Sequence, residues 1–329
     1  MNVGVGESSA PAGHRPVMVD EVVRELITDP AGIYLDATVG GGGHAEVISD
    51  RLSGAGCLIG FDRDPGALAL AQTRLSRFGD RVRFVHADYR NLASILHDLG
   101  ITAIKGALFD LGLSSLQLDD PGRGFSYRWD SPLDLRFDTT SGPTAADWLR
   151  ETDEEEIARV LRDFGGERHA RRLARAIVRE RRGPNGAIET TGQLVRVIDR
   201  VIGEDRHSRG RSAARVFQAL RIVVNDELAA IPVAIPAALD LLSDGGRLVV
   251  LAYHSGEDGL VKSILREAAR TCHCARRVGP CVCGANPRGR LVYRKPLRPT
   301  AHEESDNPRA KAARLRVFER AQGLSGRES

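Results

Sequence analysis

The sequence predicts an α/β fold in which a mainly parallel sheet is interrupted by an all-helical insertion. Short apolar segments alternate with segments of helical periodicity over roughly the first 113 residues, a pattern typical of βαβ units. Four consecutive glycines, 40–43, follow the first apolar segment directly and mark a loop. The alternation then stops, and a strand-like segment returns only at residues 247–253.

The first half of the chain predicts four strands, at residues 33–39, 58–62, 82–86 and 107–110, with a helix at 65–78. An aspartate lies at or near the end of each strand: Asp36, Asp62, Asp88 and Asp110. Parallel strands bring their carboxyl ends to one edge of a sheet, where open α/β folds bind ligands. We therefore expect these carboxylates to line one edge.

The middle of the chain is predicted to be helical after a long ordered loop at residues 118–138, which is rich in Asp, Gly, Arg and Pro. A helix is predicted to begin at Thr152, because Glu155 would complete a capping box and apolar residues then recur at helical spacing. Later elements are predicted as helices near 173–178, 194–202 and 213–242, a turn at 244–246, a strand at 247–253 and a closing edge strand at 315–318.

These elements predict a discontinuous α/β domain around a helical insertion. The predicted parts are a disordered N-terminus (1–13), an α/β domain (14–117 and 213–320), a helical insertion (118–212) and a flexible tail (321–329). A chain of 329 residues suits two domains of ordinary size.

The composition argues against a membrane or exported protein. No stretch approaches the roughly 18 consecutive apolar residues of a membrane helix. Residues 1–13 lack the apolar segment of a signal peptide. We therefore expect a cytoplasmic protein without membrane association. The sequence leaves the oligomeric state open and allows a homodimer.

Basic residues are concentrated in two segments. Residues 157–182 contain nine arginines against three acids, and residues 276–320 contain twelve Lys or Arg against four acids. Such segments attract polyanions, and arginine in particular suits phosphates and bases. A solvated helix face is the alternative reading of either segment alone.

The glycine loop and the aspartates together indicate a nucleotide-type cofactor. The pattern Gly40-x-Gly42-x-x-Ala45 matches a dinucleotide fingerprint, but alone it is a weak signal. S-adenosylmethionine explains more of the pattern. Asp36 could attract its sulfonium and amino groups, Asp62 its ribose hydroxyls, and the segment 88–89 its adenine, with Asp110 next to the methyl group. Taken singly, each aspartate is more often a helix cap. The joint pattern favours a Rossmann-like methyltransferase domain over a nicotinamide-dependent oxidoreductase.

Several longer motifs resemble those of one family. They are HRPVM (14–18), DATVGGGGH (36–44), FDRDP (61–65), FDLGLSSLQLDDPGRGFS (109–126), PLDLRFD (132–138), RVFQALRIVVNDEL (215–228) and YHSGED (253–258). With these motifs the chain resembles the bacterial small-subunit ribosomal RNA methyltransferase H family, also called the MraW family, from residue 14 to about 318.

The resemblance implies a class I methyltransferase that uses S-adenosylmethionine. Its implied reaction is methylation of the exocyclic 4-amino nitrogen of one cytidine in the decoding region of 16S ribosomal RNA, with the RNA carried in the small ribosomal subunit. The cofactor contacts that it implies fall on Gly42, Gly43, His44, Asp62, Tyr89, Asp110 and Gln117. A ribosome-assembly factor that binds RNA and cofactor without turnover is the alternative function.

A cytosine amine is a poor nucleophile, because its lone pair is conjugated into the ring. Asp110 is the first candidate to accept its N–H bonds, and Ser114, Ser115 and His254 are secondary candidates. Transfer from a sulfonium needs no metal, so no metal is assigned to the reaction. Arg123, Arg128 and Trp129 are candidate RNA contacts, although Trp129 could equally be a core residue.

Four cysteines fall in two C-x-C pairs within twelve residues: Cys272, Cys274, Cys281 and Cys283. In a chain expected in the cytoplasm they suggest a metal site rather than disulfides. The C-x-C spacing is tighter than that of most zinc sites, so the sequence leaves zinc binding open. Cys57 is predicted to be a core residue.

Overall fold

The computed structural model describes residues 16–183, 186–203, 205–272, 274, 283 and 286–322. The predicted disordered N-terminus, most of the predicted tail, and Cys281 lie outside the described residues.

One seven-stranded sheet forms the α/β part of the protein. Its strands are β1 (Ile33–Asp36), β2 (Cys57–Asp62), β3 (Val82–His86), β4 (Ile104–Asp110), β5 (Leu242–Ala252), β6 (Gly289–Leu291) and β7 (Arg314–Arg320). Their order is β3-β2-β1-β4-β5-β7-β6. The first five strands are parallel, β7 runs antiparallel to β5, and β6 runs antiparallel to β7. The antiparallel β7 distinguishes this sheet from the 3-2-1-4-5-6 order of dinucleotide-binding domains.

The parallel pairings carry the strand ends to one edge, as the sequence predicts. Asp36 pairs with Gly60 on one side and Leu108 on the other, and Asp110 pairs with Leu251. The predicted closing strand exists as β7, but it lies inside the sheet, because the three-residue β6 pairs with its outer side. A strand as short as β6 has no alternating pattern from which it could be predicted.

Thirteen helices are present in the described residues: α1 (Val19–Leu26), α2 (Gly43–Arg51), α3 (Pro65–Leu75), α4 (Leu92–Asp98), α5 (Ser115–Asp119), α6 (Ala145–Glu151), α7 (Glu154–Asp163), α8 (Ala170–Arg181), α9 (Thr191–Ile202), α10 (Arg206–Asn225), α11 (Glu227–Leu241), α12 (Ser255–Ala268) and α13 (Ala301–Asp306). Short 3₁₀ turns follow α3, β3, α5 and α13.

Side chains alternate between the two faces of the sheet and form two cores. In β4, Phe109 points into a core with Ile235 of α11 and Leu265 of α12, whereas Leu108 points into a core with Leu26 of α1. All five side chains are fully buried. Burial of each such side chain contributes about 1.5–3 kcal/mol, so both helical layers hold the sheet firmly.

The insertion has a hydrophobic core of its own, built from α6 to α10. Its buried residues include Leu161 of α7, Ile177 of α8 and Ile198 of α9. The helix α10 runs from residue 206 to 225 without a break at the boundary predicted at 212. Val216 and Leu220, beyond that boundary, are buried in the insertion core. The two parts of the protein therefore share α10.

Two local predictions in the insertion differ from the structure. The predicted capping box at Thr152 is wrong, because Thr152 ends α6 and the side chain of Asp153 caps α7 by accepting from the backbone N–H of Glu156. The sequence AADWLRE of α6 was not predicted as a helix. Its signal in the sequence is a capping box at its own N-terminus, formed by Thr144 and Asp147.

No single helix among the described residues combines the length and the apolar composition needed to cross a membrane. Two consecutive helical segments, residues 208–225 and α11, satisfy the length and composition criteria only when they are taken together, and they meet at an angle of 55°.

Candidate active site

A cavity of about 670 Å³ opens at the carboxyl edge of the parallel strands. Its size falls within the range of small-molecule sites. Six of the seven predicted cofactor contacts line it: Gly43, His44, Asp62, Tyr89, Asp110 and Gln117. Gly42, the seventh, lies behind the lining and packs on α3.

The glycine loop can approach a ligand closely because side chains do not fit there. A Cβ added at Gly42 would lie 2.5 Å from Cδ1 of Leu75, and Gly42 has a left-handed φ of 82°. A Cβ at Gly43 would lie 2.5 Å from Cγ of Pro16. Gly43 is also the first residue of α2, so the N–H groups of this first turn have no partner within the helix.

Asp62 is held in place at the end of β2. One carboxylate oxygen accepts the N–H of Gly40 at 2.7 Å, and the other accepts the N–H of Asp64 at 2.9 Å. Burial raises the pKa of Asp62 to about 6, although these two hydrogen bonds oppose the rise. Each carboxylate oxygen has a second lone pair, so Asp62 can still accept hydrogen bonds from a ligand.

His44 lines the cavity and the buried Asp36 lies near it, and both have polar atoms that the described residues leave unpaired. Oδ1 of Asp36 accepts the N–H of Thr38 at 3.1 Å, whereas Oδ2 has no hydrogen-bond partner among the described residues. The same holds for both ring nitrogens of His44, of which Nε2 lies 3.5 Å from Asp110. Burial raises the pKa of Asp36 to about 7. Unpaired buried polar atoms are costly, which fits a site completed by a charged ligand.

Asp110 lines the cavity together with residues of the glycine loop. Its Oδ1 accepts the hydroxyl of Tyr253 at 2.7 Å, and its side chain is 26% exposed. Burial and the neighbouring Asp110 raise the pKa of Tyr253 well above its usual value, so the phenol remains a donor. The backbone N–H of Asp110 donates to the Thr38 hydroxyl at 2.7 Å. These contacts fix Oδ1, whereas Oδ2 lies 3.5 Å from Nε2 of His44.

Tyr89 and Gln117 form two further parts of the wall. The ring of Tyr89 packs edge-on against Phe109, with centroids 5.6 Å apart and an angle of 81° between planes. The side chain of Gln117 is already engaged, because it accepts the N–H of Ser114 at 3.1 Å and donates to Asp64 at 3.0 Å. Tyr89 therefore offers a ring surface to a base, whereas Gln117 chiefly orders the loop before α5.

A family model for the MraW methylase family matches residues 11–321. The chain belongs to the MraW methylase family. It is 47% identical over 309 residues to the ribosomal RNA small subunit methyltransferase H of Heliobacterium modesticaldum, covering 93% of this chain and 98% of the relative. It is 45% identical over 308 residues to the protein of that name from Geobacter sulfurreducens, with the same coverages.

Solved structures with a similar arrangement include an rRNA methylase from Streptococcus thermophilus, at 15% identity and a TM-score of 0.38, and the N-methyltransferase NodS from Bradyrhizobium japonicum, at 10% identity and a TM-score of 0.41. Each likeness covers 92% of this chain and 94% of the other.

The family and the Rossmann-like methyltransferase fold predicted from the sequence are thereby confirmed. The cofactor of this methylase is S-adenosylmethionine, as predicted. The nicotinamide-dependent alternative is excluded by the family, and the antiparallel β7 agrees with that exclusion.

A buried group of charges in the wall of the cavity was not predicted from the sequence. The guanidinium of Arg221 in α10 contacts both carboxylate oxygens of Glu227, the first residue of α11, at 2.8 and 2.9 Å. Glu257 in α12 accepts the N–H groups of Tyr253 and His254. Burial opposes ionisation of Glu257, but His254 and Arg221 outweigh it and hold its pKa below the usual value. Their only signal in the sequence is membership of the motifs at 215–228 and 253–258.

The secondary catalytic candidates have structural contacts. Ser114 caps α5 by accepting the N–H of Gln117. His254 caps α12 through Nδ1, which accepts the N–H of Gly256 at 3.2 Å, and its Nε2 lies 3.1 Å from Glu257. The side chain of Ser115 lies outside the described part of the chain. Asp110 is thus the polar candidate with the most direct access to the cavity.

The candidate RNA residues separate into buried and exposed groups. Arg123 is largely buried, donating to Asp64 at 2.8 Å and to two backbone carbonyls. The side chain of Trp129 is 54% exposed, which rules out the core reading of this residue. Arg128 is exposed beside it. In the first basic segment, Arg159 pairs with Glu156 and Arg175 contacts Glu154, so part of its charge is neutralised locally.

Proposed function

We propose that this methylase transfers a methyl group from S-adenosylmethionine to the exocyclic 4-amino nitrogen of a cytidine in the decoding region of 16S ribosomal RNA, within the small ribosomal subunit. The observation that carries the proposal is the position of Asp110. Its carboxylate accepts a hydrogen bond from Tyr253, is partly exposed, and lines the cavity together with residues of the glycine loop.

Residues around the glycine loop fit the cofactor. Asp62, already oriented by two backbone N–H groups, would accept hydrogen bonds from the ribose hydroxyls. Tyr89 would flank the adenine, and the loop from Gly40 to Gly43 would pass close to the methionine portion. The unpaired Oδ2 of Asp36 would act from beneath as a negative charge near the sulfonium. Bound there, S-adenosylmethionine supplies an electrophilic methyl group on a positively charged sulfur.

Asp110 has two roles in this scheme. Its carboxylate would accept a hydrogen bond from an N–H of the cytosine amine. This contact increases the electron density on the nitrogen and orients the nitrogen toward the methyl carbon. As the nitrogen–carbon bond forms, the sulfur–carbon bond breaks and S-adenosylhomocysteine is left. The nitrogen then loses one proton, for which Asp110 or water is a sufficient acceptor. No metal is needed at any step.

The helical insertion and the exposed end of the long loop would hold the RNA. Trp129 offers an exposed ring on which an unpaired base could stack, and Arg128 offers a charge beside it. A cytidine reaches a cavity of this kind only when it is unpaired or turned out of a helix. This requirement is why a folded subunit, which fixes the RNA conformation, is proposed as the substrate.

Small subunits that lack the modification, incubated with the protein and S-adenosylmethionine, test the proposal. The RNA is digested to nucleosides, which are analysed by mass spectrometry, and naked 16S RNA and the variant Asp110→Ala are treated in parallel. We expect methylation of a cytidine on its exocyclic amine in the subunits and at least about a hundredfold less with the variant.

Binding of S-adenosylmethionine to Asp110→Ala, measured by calorimetry, separates a contact of Asp110 to the amine from a contact to the cofactor. Retained binding with lost transfer supports the contact to the amine. Cofactor binding by the wild-type protein without any methylated nucleoside on either substrate would contradict the proposal and would favour a ribosome-assembly factor without turnover.

A further inference from the structure

Three cysteine thiols converge at a place remote from the cavity. The Sγ atoms of Cys272, Cys274 and Cys283 all lie within 4.8 Å of one another, and those of Cys272 and Cys283 are 3.9 Å apart. The backbone N–H of Cys274 donates to the sulfur of Cys272 at 3.4 Å. None of the three residues lines the cavity that contains Asp110.

The cluster lies at the amino edge of the parallel strands, opposite the cavity. The helix α12 begins at the carboxyl end of β5 and runs back along the sheet, so that Ala268, its last residue, reaches the opposite edge. Cys272 follows α12 and Cys283 precedes β6. The N–H of Arg288 donates to the carbonyl of Ala268 at 2.9 Å and ties the two ends of the connection together.

The spacing of the sulfur atoms fits a metal better than a disulfide. A disulfide brings two sulfurs to about 2.05 Å and leaves the third without a partner. Zinc–sulfur bonds of about 2.3 Å at tetrahedral angles place the sulfurs about 3.8 Å apart. The 3.9 Å between Cys272 and Cys283 matches the second geometry, and all three sulfurs can reach one ion with small side-chain rotations.

The length of this connection gives a reason for a crosslink. Twenty residues, 269–288, separate α12 from β6, and no helix or strand is assigned to the described ones among them. Closing a connection of this length costs conformational entropy. A metal ion held by residues near both ends would offset that cost.

We propose that Cys272, Cys274 and Cys283 bind one structural zinc ion that fixes the connection between α12 and β6. Three thiolates and a zinc ion carry a net negative charge, and Arg270, whose Nε donates to the carbonyl of Cys272 at 3.0 Å, places a positive charge beside them. The structure assigns three ligands. The fourth ligand of a tetrahedral ion is not among the described cysteines.

Zinc content is the first test, using the full-length protein purified without chelators and analysed by inductively coupled plasma mass spectrometry. We expect about one zinc ion per chain in the wild type. The matched control is Cys57→Ser, because Cys57 is a half-buried thiol of β2 outside the cluster and should leave the zinc content unchanged. The variants Cys272→Ser and Cys283→Ser should bind zinc at least about tenfold more weakly in competition with a chelator.

Cobalt substitution tests the ligands without relying on the stability of a variant. Cobalt bound to thiolates in a tetrahedral site gives strong charge-transfer and visible bands. We expect these bands in the wild-type protein and in Cys57→Ser. S-adenosylmethionine binding should be unchanged in the cluster variants, because the site lies at the opposite edge of the sheet. Wild-type protein without zinc and without the cobalt bands would overturn the proposal, as would a disulfide between two of these cysteines in non-reducing mass spectrometry.

Discussion

The affinity for the cofactor should depend on pH through Asp62. Burial raises the pKa of this carboxyl to about 6, and only the ionised form accepts charge-assisted hydrogen bonds from both ribose hydroxyls, since protonation turns one oxygen into a donor. The dissociation constant therefore increases by the factor 1 + 10^(pKa − pH). This factor is about 1.1 at pH 7 and about 11 at pH 5, so the affinity falls roughly tenfold, or about 1.4 kcal/mol, over two pH units.

Isothermal titration at pH 5, 6 and 7 and constant ionic strength measures this effect. The variant Asp62→Asn is the matched control, since it keeps the size of the side chain and removes the titrating group. We expect the variant to bind about 10- to 150-fold more weakly at pH 7, because a hydrogen bond to a charged group contributes about 1.5–3 kcal/mol. The affinity of the variant should also not show the tenfold change between pH 7 and pH 5, so the difference between the two pH profiles gives the contribution of Asp62.

S-adenosylhomocysteine gives an independent check, because it carries the same ribose without the sulfonium charge. Its affinity for the wild type should show the same tenfold contribution from Asp62. Parallel pH profiles for the wild type and Asp62→Asn, with either ligand, would refute the assignment of Asp62 to the ribose.

Four further predictions concern substitutions with distinct expected outcomes. Asp36→Asn should raise the free energy of unfolding at pH 8 by up to about 4 kcal/mol in urea denaturation. The pKa of the buried Asp36 is raised to about 7, so its ionisation destabilises the wild-type protein as pH increases from about 4 to 7, and asparagine removes this cost. An unchanged free energy of unfolding at pH 8 would contradict this. Gly42→Ala should lower the melting temperature and reduce the free energy of unfolding by about 2–4 kcal/mol, because residue 42 has a left-handed φ of 82° and an added Cβ would overlap α3. A loss below about 0.5 kcal/mol would argue against that packing. Arg221→Gln should lower the free energy of unfolding by about 3–5 kcal/mol, because it leaves the buried Glu227 without its ion-pair partner. Arg159→Gln, which removes an exposed pair with Glu156, should lower it by less than about 1 kcal/mol. Equal losses in the two variants would contradict this difference. Trp129→Ala should weaken RNA binding by about 1–3 kcal/mol in a filter assay with stability and cofactor affinity unchanged, and unaltered RNA affinity would exclude this ring from the interface.

The parallel half of the sheet was predictable because its signals are local. Each of the first four strands is a short apolar segment next to a helix, and the carboxyl-end rule then places Asp62 and Asp110 at the same edge. Six of the seven cofactor residues implied by the family resemblance line one cavity at that edge. The short elements β6, α6 and α13 were missed, because three to seven residues hold too little periodicity to identify them.

The contacts that complete the site could not be predicted, because they join distant parts of the chain. Tyr253 and Asp110 are 143 positions apart, and their hydrogen bond depends on the pairing of β4 with β5. The contact between Arg123 and Asp64 likewise depends on how the long loop folds over α3. Arginine composition suggested that Arg123 is an RNA contact, but burial of its guanidinium is decided by tertiary packing.

A crystal structure with S-adenosylhomocysteine and cytidine tests most directly that the carboxyl-edge cavity is the site of methyl transfer. The account predicts ribose hydroxyls on Asp62, adenine beside Tyr89, and the cytidine amine within hydrogen-bond distance of Asp110 on the side facing the sulfur. A cofactor bound elsewhere, or a cytidine whose amine points away from both Asp110 and the sulfur, would contradict it.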